Sequence, residues 1–548
     1  MQASRRAVSP WFILAVVSFP VFIGALDLTI ISAVLPEVII SLKLPVKEYL
    51  DQASWAVNAY LLAYAISMTF TGRLSDIFGR RNVYIACLII FMLGSYFVTI
   101  YDSALINRAI ARFYHVVLNQ RPPRLAVRHL YLVITGRAFQ AFGAGAMVPV
   151  TIALVGDLFP PERRARPIGM IGAVDTLGWV LGHLYGGIMV RFFGKNGDWF
   201  VDAAHSIGLS ISKPSWETLF ILNIPISLLA LVGSWWVLRR VRNPHPVEPF
   251  TFEQSAAQTR MYPTFLESIR GMRFDILGAI LISLVLLGIN LGLGGNTESA
   301  TSFEDLQQSA TNHNVFFLIG AGIALCAFLL VESWVKHPLI RLSMFRNRNF
   351  SSASVTNLLV GFCLAIGLVS APLLVNFRVD SPTSDKIQEA ALVTGLLLSG
   401  LTIPMAMAAI PGGWLSERYG YRMPTVTGLL LACIGFVLSW QIWTEDTPYG
   451  IMAIQMAMIG IGLGLTISPI GTAVLNDVHE DERGVASALV LILRLVGMTL
   501  AISSLTVFAL DRVDKLVERY EKPPEGADFE EIARLSQEAN FKAAIQVI

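Results

Sequence analysis

Gly72–Arg81, GRLSDIFGRR, and Gly413–Arg422, GWLSERYGYR, align over ten residues without a gap. Each copy directly follows one apolar run and directly precedes another. A charged, glycine-bearing stretch that recurs in the same context marks two homologous helical halves related by a parallel repeat. Gly72 and Gly79, with Gly413 and Gly420 in the second copy, permit a tight turn at a membrane face. Asp76, Arg80 and Arg81, with Glu417 and Arg422, can latch helix ends of opposite halves through charge and helix dipole. Positive-inside topology alone would account for Arg80 and Arg81, but not for the glycines or Asp76.

Outward from these loops the chain is apolar. Of its 548 residues 54% are hydrophobic and 15% charged, and the mean hydropathy is +0.60. A soluble protein of this length needs more charge to cover its surface. Apolar runs fall near residues 11–37, 53–72, 82–101, 130–156, 167–190 and 217–238, then 275–295 and 314–335. Five more follow near 350–374, 388–412, 423–443, 449–475 and 484–510. Each approaches the roughly 20 residues that a helix needs to cross about 30 Å of hydrocarbon. The first run is too long for a signal peptide, carries Asp27 and ends in no small-x-small cleavage site. The expectation is an all-α polytopic membrane protein with thirteen visible spans; ANFKAAIQVI at the end reads as the start of a fourteenth, missing or truncated.

With the N-terminus in the cytoplasm, Arg80 and Arg81, Arg163, Arg164 and Arg166, Arg239–Arg273 and Lys336–Arg348 all fall inside, as the positive-inside rule favours. Residues 102–129 oppose it with five arginines. There Arg108, Arg112, His115 and Asn119 recur at helical spacing opposite Ile106, Ile110, Phe113 and Val117. Two readings stand, a solvated loop or an amphipathic helix on the outer membrane surface ended by Pro122 and Pro123.

A net charge of +2 implies no nucleic acid. The four cysteines lie in apolar runs without CxxC spacing, so neither a disulfide framework nor a metal site is expected. No HExxH, Walker loop or GxSxG is present, and no soluble domain is large enough for separate catalysis, so no catalytic residue is assigned.

The repeated loop resembles a signature of the major facilitator superfamily, and further segments are similar to its fourteen-helix drug:proton antiporter branch. These are LDLTIISAVLP (Leu26–Pro36), GRAFQAFGAGA (Gly136–Ala146), FPPERRARPIG, FILNIP, VESWVKHPLI before FRNRNF, and RGVASALVLILRLVG (Arg483–Gly497). The fifth-helix pattern GxxxGPxxGG is matched by Gly178, Gly182, Gly186 and Gly187, with His183 where proline is expected. The resemblance implies two six-helix bundles: 1–238, and 350–548 with an external tail. Residues 239–349 would form a cytoplasmic linker plus two additional transmembrane helices. It also implies the loop's role in conformational control.

Gly178, Gly182 and Gly186 form one stripe on which a neighbouring helix can approach the backbone. Asp175 falls on the same stripe and His183 about a quarter turn away, placing Asp175 at a helix interface and His183 nearer a cavity edge. His183 keeps the N–H that proline lacks, so this helix should be straighter than in relatives. For both residues two readings stand, polar glue between helices and proton handling. Asp27 is costly to keep charged within its span, and its protonation can be coupled to an exchange of conformations. Arg137 would hold Asp27 ionised when near and release it when separated. Counted from the span ends, Asp27, Arg137 and His183 all fall in the outer half of the membrane. Arg494, about 15 Å into its span, must find a partner. Asn58, Tyr60, Tyr64, Asn357 and Gln455 could line a central cavity or satisfy neighbours inside a bundle.

The function this implies is proton-coupled export of amphiphilic or drug-like molecules by alternating access, across a bacterial inner (cytoplasmic) membrane. The proton gradient would drive it without a cofactor. Its partners would be the small-molecule substrate, protons and the lipid bilayer, while a periplasmic or outer-membrane partner is left open. The alternatives are a dedicated carrier of a metabolite, peptide or lipid precursor, or a membrane receptor without transport.

Overall fold

The computed structural model describes residues 9–116, 119, 121–206, 213–239, 275–292, 315–335, 338–378, 384–444 and 447–520. The linker at 240–274 and the ANFKAAIQVI stretch lie outside the described residues. Among the described residues there are helices and turns and no β-strand. The first half comprises α1 (Pro10–Ser41), α2 (Val46–Phe78), α3 (Arg80–Thr99), α4 (Ala104–Val116), α5 (Leu125–Gly145), α6 (Met147–Leu158), α7 (Ala165–Ser206) and α8 (Trp216–Leu238). A pair follows, α9 (Ile276–Gly292) and α10 (Val315–Trp334). The second half holds α11 (Arg348–Phe377), α12 (Ser384–Tyr419), α13 (Arg422–Ile442), α14 (Tyr449–Asn476) and α15 (Arg483–Tyr520).

Among the described residues each expected span is largely helical, ten stretches are long and apolar enough to cross a membrane, and α9 is a shorter apolar helix. Not among the ten are α2 and α7, which carry Asn58, Tyr60, Tyr64 and Asp175 in their lengths. The fourth span is two helices in line, α5 and α6, joined at Ala146. Contrary to the loop reading, residues 104–116 form a helix, α4, with Phe113 exposed; it stops at Val116, short of the end expected at Pro122 and Pro123, and Val117 lies outside the described residues.

One buried core gathers Leu14, Tyr84, Phe91, Met147 and Ile171 from the first half, and another Phe350, Leu401, Met405, Met456 and Val490 from the second. Large apolar side chains also cover the outside: Phe316, Trp440, Leu229 and Met407 are 86%, 75%, 73% and 68% exposed. In water that surface would aggregate, whereas in a bilayer it is matched by lipid tails.

Both repeated loops are turns through a single left-handed glycine. Gly79 (φ +86°) separates α2 from α3 and Gly420 (φ +78°) separates α12 from α13. A side chain at either position would be strained. Both loops therefore lie on one face of the molecule, where α1, α7, α11 and α15 begin. α7 has 42 residues and α15 has 38. At about 1.5 Å per residue they run roughly 63 Å and 57 Å, so both project beyond a slab of about 30 Å on the opposite face. α7 is one uninterrupted helix through Leu181–His183, consistent with an intact N–H where proline would remove one.

Candidate functional site

The repeated loops join the halves crosswise. A Cβ built on Gly72 would lie 2.6 Å from the Gly484 carbonyl oxygen, and one on Gly413 2.7 Å from that of Ala165. Helix backbones thus touch directly, α2 on α15 and α12 on α7. Asp76 accepts the Gly484 and Val485 N–H groups (3.1 and 3.2 Å) at the start of α15, and Glu417 accepts the Arg166 N–H (3.2 Å) at the start of α7. An acid from each half therefore sits on the positive end of a helix from the other. Arg80 binds Asp76, Ser75 and Asp157, and Arg483 binds Asp157 at 3.1 Å. Arg166 pairs with Glu417 at 2.7 Å. Arg422 is exposed, and Arg81 bonds its neighbour Asn82.

Sequence reasoning missed Asp157, Arg164, Asn476 and Arg483, although a signal existed. Asp157 and Asn476 each stand seven residues before an arginine, Arg164 and Arg483, in PERR and EDER. Arg164 donates to Asn476 Oδ1 (2.8 Å) as Arg483 does to Asp157. At this repeated position an acid stands at one seam and a neutral amide at the other.

A second assembly lies within the first half. Asp27 (α1) and Arg137 (α5) form an ion pair, both wholly buried. Arg137 Nη2 also donates to the Asp27 carbonyl (3.0 Å) and Nη1 to Gln140 Oε1 (2.7 Å), while Asn223 (α8) donates to Asp27 Oδ1 (2.6 Å). Gln140 in turn donates to Ser95 (2.7 Å). The guanidinium lies 4.0 Å from the Tyr60 ring centroid, and the Tyr60 hydroxyl donates to the Gly24 carbonyl. Asn223, Gln140 and Ser95 were not singled out from the sequence; the three-residue spacing of Arg137 and Gln140 on one helix was the available signal. The pair lies deeper than its apolar runs implied. α1 continues to Ser41 and α5 begins at Leu125, so Asp27 and Arg137 are about 21 Å and 18 Å from those ends.

A third group joins the halves at mid-span. Asp175 (α7), Tyr64 (α2) and Arg494 (α15) lie within electrostatic reach of one another. Among the described residues no ion pair within 4 Å joins Asp175 to Arg494, and Asp175 Oδ1 is buried without a hydrogen-bond partner. Counting from Ala165 and Gly484, which align in the repeat, Asp175 and Arg494 each stand ten residues along their helices. They are repeat equivalents of opposite charge, brought face to face by the relation between halves. Tyr64 stacks on Tyr60, with centroids 6.2 Å apart, so one aromatic pair links this group to Arg137.

The glycine stripe serves α7–α1 packing. Cβ atoms on Gly178 and Gly182 would meet Ala25 and Phe22, and Thr29 and Leu26. Gly186 is buried, but Gly187 faces open space, and Asp175 is directed to Tyr64 and Arg494 instead. The His183 side chain lies outside the described residues. Asn357 donates to the Val490 carbonyl (2.7 Å) and Gln455 accepts from Trp443 Nε1 (2.5 Å). Both therefore satisfy neighbours inside the second bundle. Asn58, like Tyr64, is buried. Among the described residues no group of three or more metal-ligating side chains is assembled.

The chain is similar to relatives of known designation over most of their length. A triacylglyceride transporter of Mycolicibacterium hassiacum is 28% identical over 522 residues, 93% of this chain and 81% of the relative. That of Mycobacterium tuberculosis is 26% identical over 527 residues, 94% of this chain and 85% of the relative. In fold, the human organic anion transporter MFSD10 matches with a TM-score of 0.54 at 13% identity, covering 98% of this chain and 99% of that one. The proton:xylose symporter XylE matches at 0.52, also at 13% identity, covering 98% and 94%. The family model described as Major Facilitator Superfamily matches residues 17–502, and the chain belongs to that superfamily of membrane transporters.

Proposed function

We propose that this protein is a proton-coupled carrier of a lipid-like amphiphile with a neutral polar head, working by alternating access. The observation that carries this reading is the Asp175–Arg494 pair, equivalent positions of opposite charge left unclosed at mid-span between the halves. Such a pair can close on itself, or accept a proton on Asp175 and a polar head between its members. The names of the relatives favour a lipid over the drug cargo that the antiporter resemblance suggests. The pair α9–α10 between the halves supports the fourteen-helix branch. With the N-terminus in the cytoplasm of a bacterial inner membrane, the latched loop face is cytoplasmic and the protein is closed on that side. Asp27 and Arg137, sealed from the cleft, would set its tension through Tyr60 and Tyr64.

The test is reconstitution into proteoliposomes with an imposed proton gradient, scoring transfer of a fluorescent triacylglycerol analogue and of a cationic dye. Gradient-dependent transfer of the lipid, lost in Asp175→Asn, is expected. Transfer of the dye alone would return the function to drug efflux.

A further inference from the structure

Two acids in the segment between the halves take no part in the transport reading. Asp275 caps α9, accepting the Gly278 N–H (2.7 Å) on Oδ1, while Glu332, near the end of α10, accepts the Ile340 N–H (3.2 Å) on Oε1. They are 2% and 5% exposed. Each keeps one oxygen, Asp275 Oδ2 and Glu332 Oε2, buried with no hydrogen-bond partner among the described residues.

The two carboxyls converge. A Cβ on Gly278 would lie 2.4 Å from Asp275 Oδ2 and 3.1 Å from Glu332 Oε1. Those oxygens are therefore no more than about 5.5 Å apart, the sum of the two distances, with a side-chain-free gap between them. Most buried polar atoms in native proteins are satisfied, and two like charges brought this near in a buried site disfavour ionisation of both. Among the described residues, the other charge facing the pair is Arg73 of α2, within electrostatic reach of Glu332; Arg73 Nε is itself buried without a partner. Two carboxylates and one guanidinium leave a single negative charge, and one proton neutralises it.

We propose that Asp275 and Glu332 are a proton-binding carboxyl pair, one acid protonated and donating to the other, which clamps the α9–α10 pair beside the Gly72–Arg81 loop. Its ligand is a proton, and the site is separate from Asp27 and Asp175. Location gives the proton a readout. Arg73 follows Gly72 at the α2–α15 contact, and Arg341, next to Ile340, pairs with Glu482 (2.6 Å) just before α15. Loss of the proton would leave two facing carboxylates and loosen both attachments.

The test is infrared difference spectroscopy of the full chain in lipid nanodiscs at neutral pH, wild type minus Glu332→Gln and wild type minus Asp275→Asn. Both variants keep hydrogen-bonding ability; if one fails to fold, the other is read alone. The expected result is a protonated-carboxyl C=O stretch present in wild type and absent from each variant, which disappears as the pH is raised. Loss of ionised-carboxylate bands alone overturns the proposal. So do carboxylate bands that shift on addition of magnesium, which would make the gap a metal site.

Discussion

Replacing Gly72 with alanine tests the backbone contact on which the latch rests. The added Cβ would stand 2.6 Å from the Gly484 carbonyl oxygen and 2.9 Å from the Ala488 Cβ. Ordinary contact begins near 3.4 Å, so α2 must retreat by about 0.8 Å, the difference from 2.6 Å. The Asp76 bonds to Gly484 and Val485, at 3.1 and 3.2 Å, would then exceed hydrogen-bonding distance. Overpacking of this kind costs about 1–3 kcal/mol. The cost falls only on the state in which the loop face is closed, so the open state gains by roughly 5- to 150-fold. Spin labels on Asn82→Cys and His479→Cys, read as a distance distribution in nanodiscs, should show a longer-distance population in Gly72→Ala. Gly187→Ala meets nothing within 4 Å and should leave the distribution unchanged. An unaltered distribution in Gly72→Ala would show that the halves are not held by this contact.

Further outcomes follow from the same contacts. Arg137→Met strands the Asp27 carboxylate in a wholly buried site and should destabilise the protein by about 3–5 kcal/mol, with partial recovery on adding Asp27→Asn; thermal unfolding in nanodiscs reads both. Asp76→Asn removes charged bonds to two helix-end N–H groups and Arg80, for a loss of about 1.5–3 kcal/mol. Glu417→Gln, whose partner Arg166 is 47% exposed, should cost less than about 1 kcal/mol, and that cost should shrink with added salt. Asn476→Asp places an anion facing Arg164 and should shift the labelled population towards the closed state.

Local pattern made much of this fold legible. The two glycine-bearing loops announced the repeat, and apolar run length announced each helix. A buried charge demanded a long-range partner in both Asp27 and Arg494, but the sequence named one only for Asp27. Asn357 and Gln455 show the limit: an amide within an apolar helix must bond something, but periodicity does not say whether that is a cavity or a carbonyl one helix away. Helix ends were misjudged for a related reason. α7 runs on to Ser206 through a polar stretch, with Gly194, Asn196 and Gly197, in which neither hydropathy nor helix propensity signals its continuation.

The two halves share a backbone and differ in chemistry, and the differences share a direction. Gly145 packs on the Tyr64 carbonyl as Gly464 packs on that of Met405, and Gly178 packs on α1 as Gly497 packs on α11. The repeat therefore preserves close approach. At matching positions, however, Arg80 corresponds to Tyr421, Asp157 to Asn476, Tyr64 to Met405 and Arg137 to Met456. Among the described residues Asp27, Arg80, Arg137 and Arg164 are buried in the first half, and Glu482 and Arg483, beside the start of α15, in the second. Arg494, deeper in α15, stands where the repeat sets it against Asp175. The bundles meet through backbone contacts, the Asp157–Arg483 and Arg166–Glu417 ion pairs, and the Asp175 and Arg494 positions. Under the proposed function, the acids Asp27 and Asp175 that would handle the proton both belong to the first bundle. On this reasoning, Met405→Tyr should place a second hydroxyl near the cleft without disturbing Asp27, whereas Tyr64→Met should sever the aromatic link from Arg137 to Asp175 and uncouple lipid movement from the proton gradient. Equal coupling in Tyr64→Met would confine the role of Asp27 and Arg137 to holding the first bundle together.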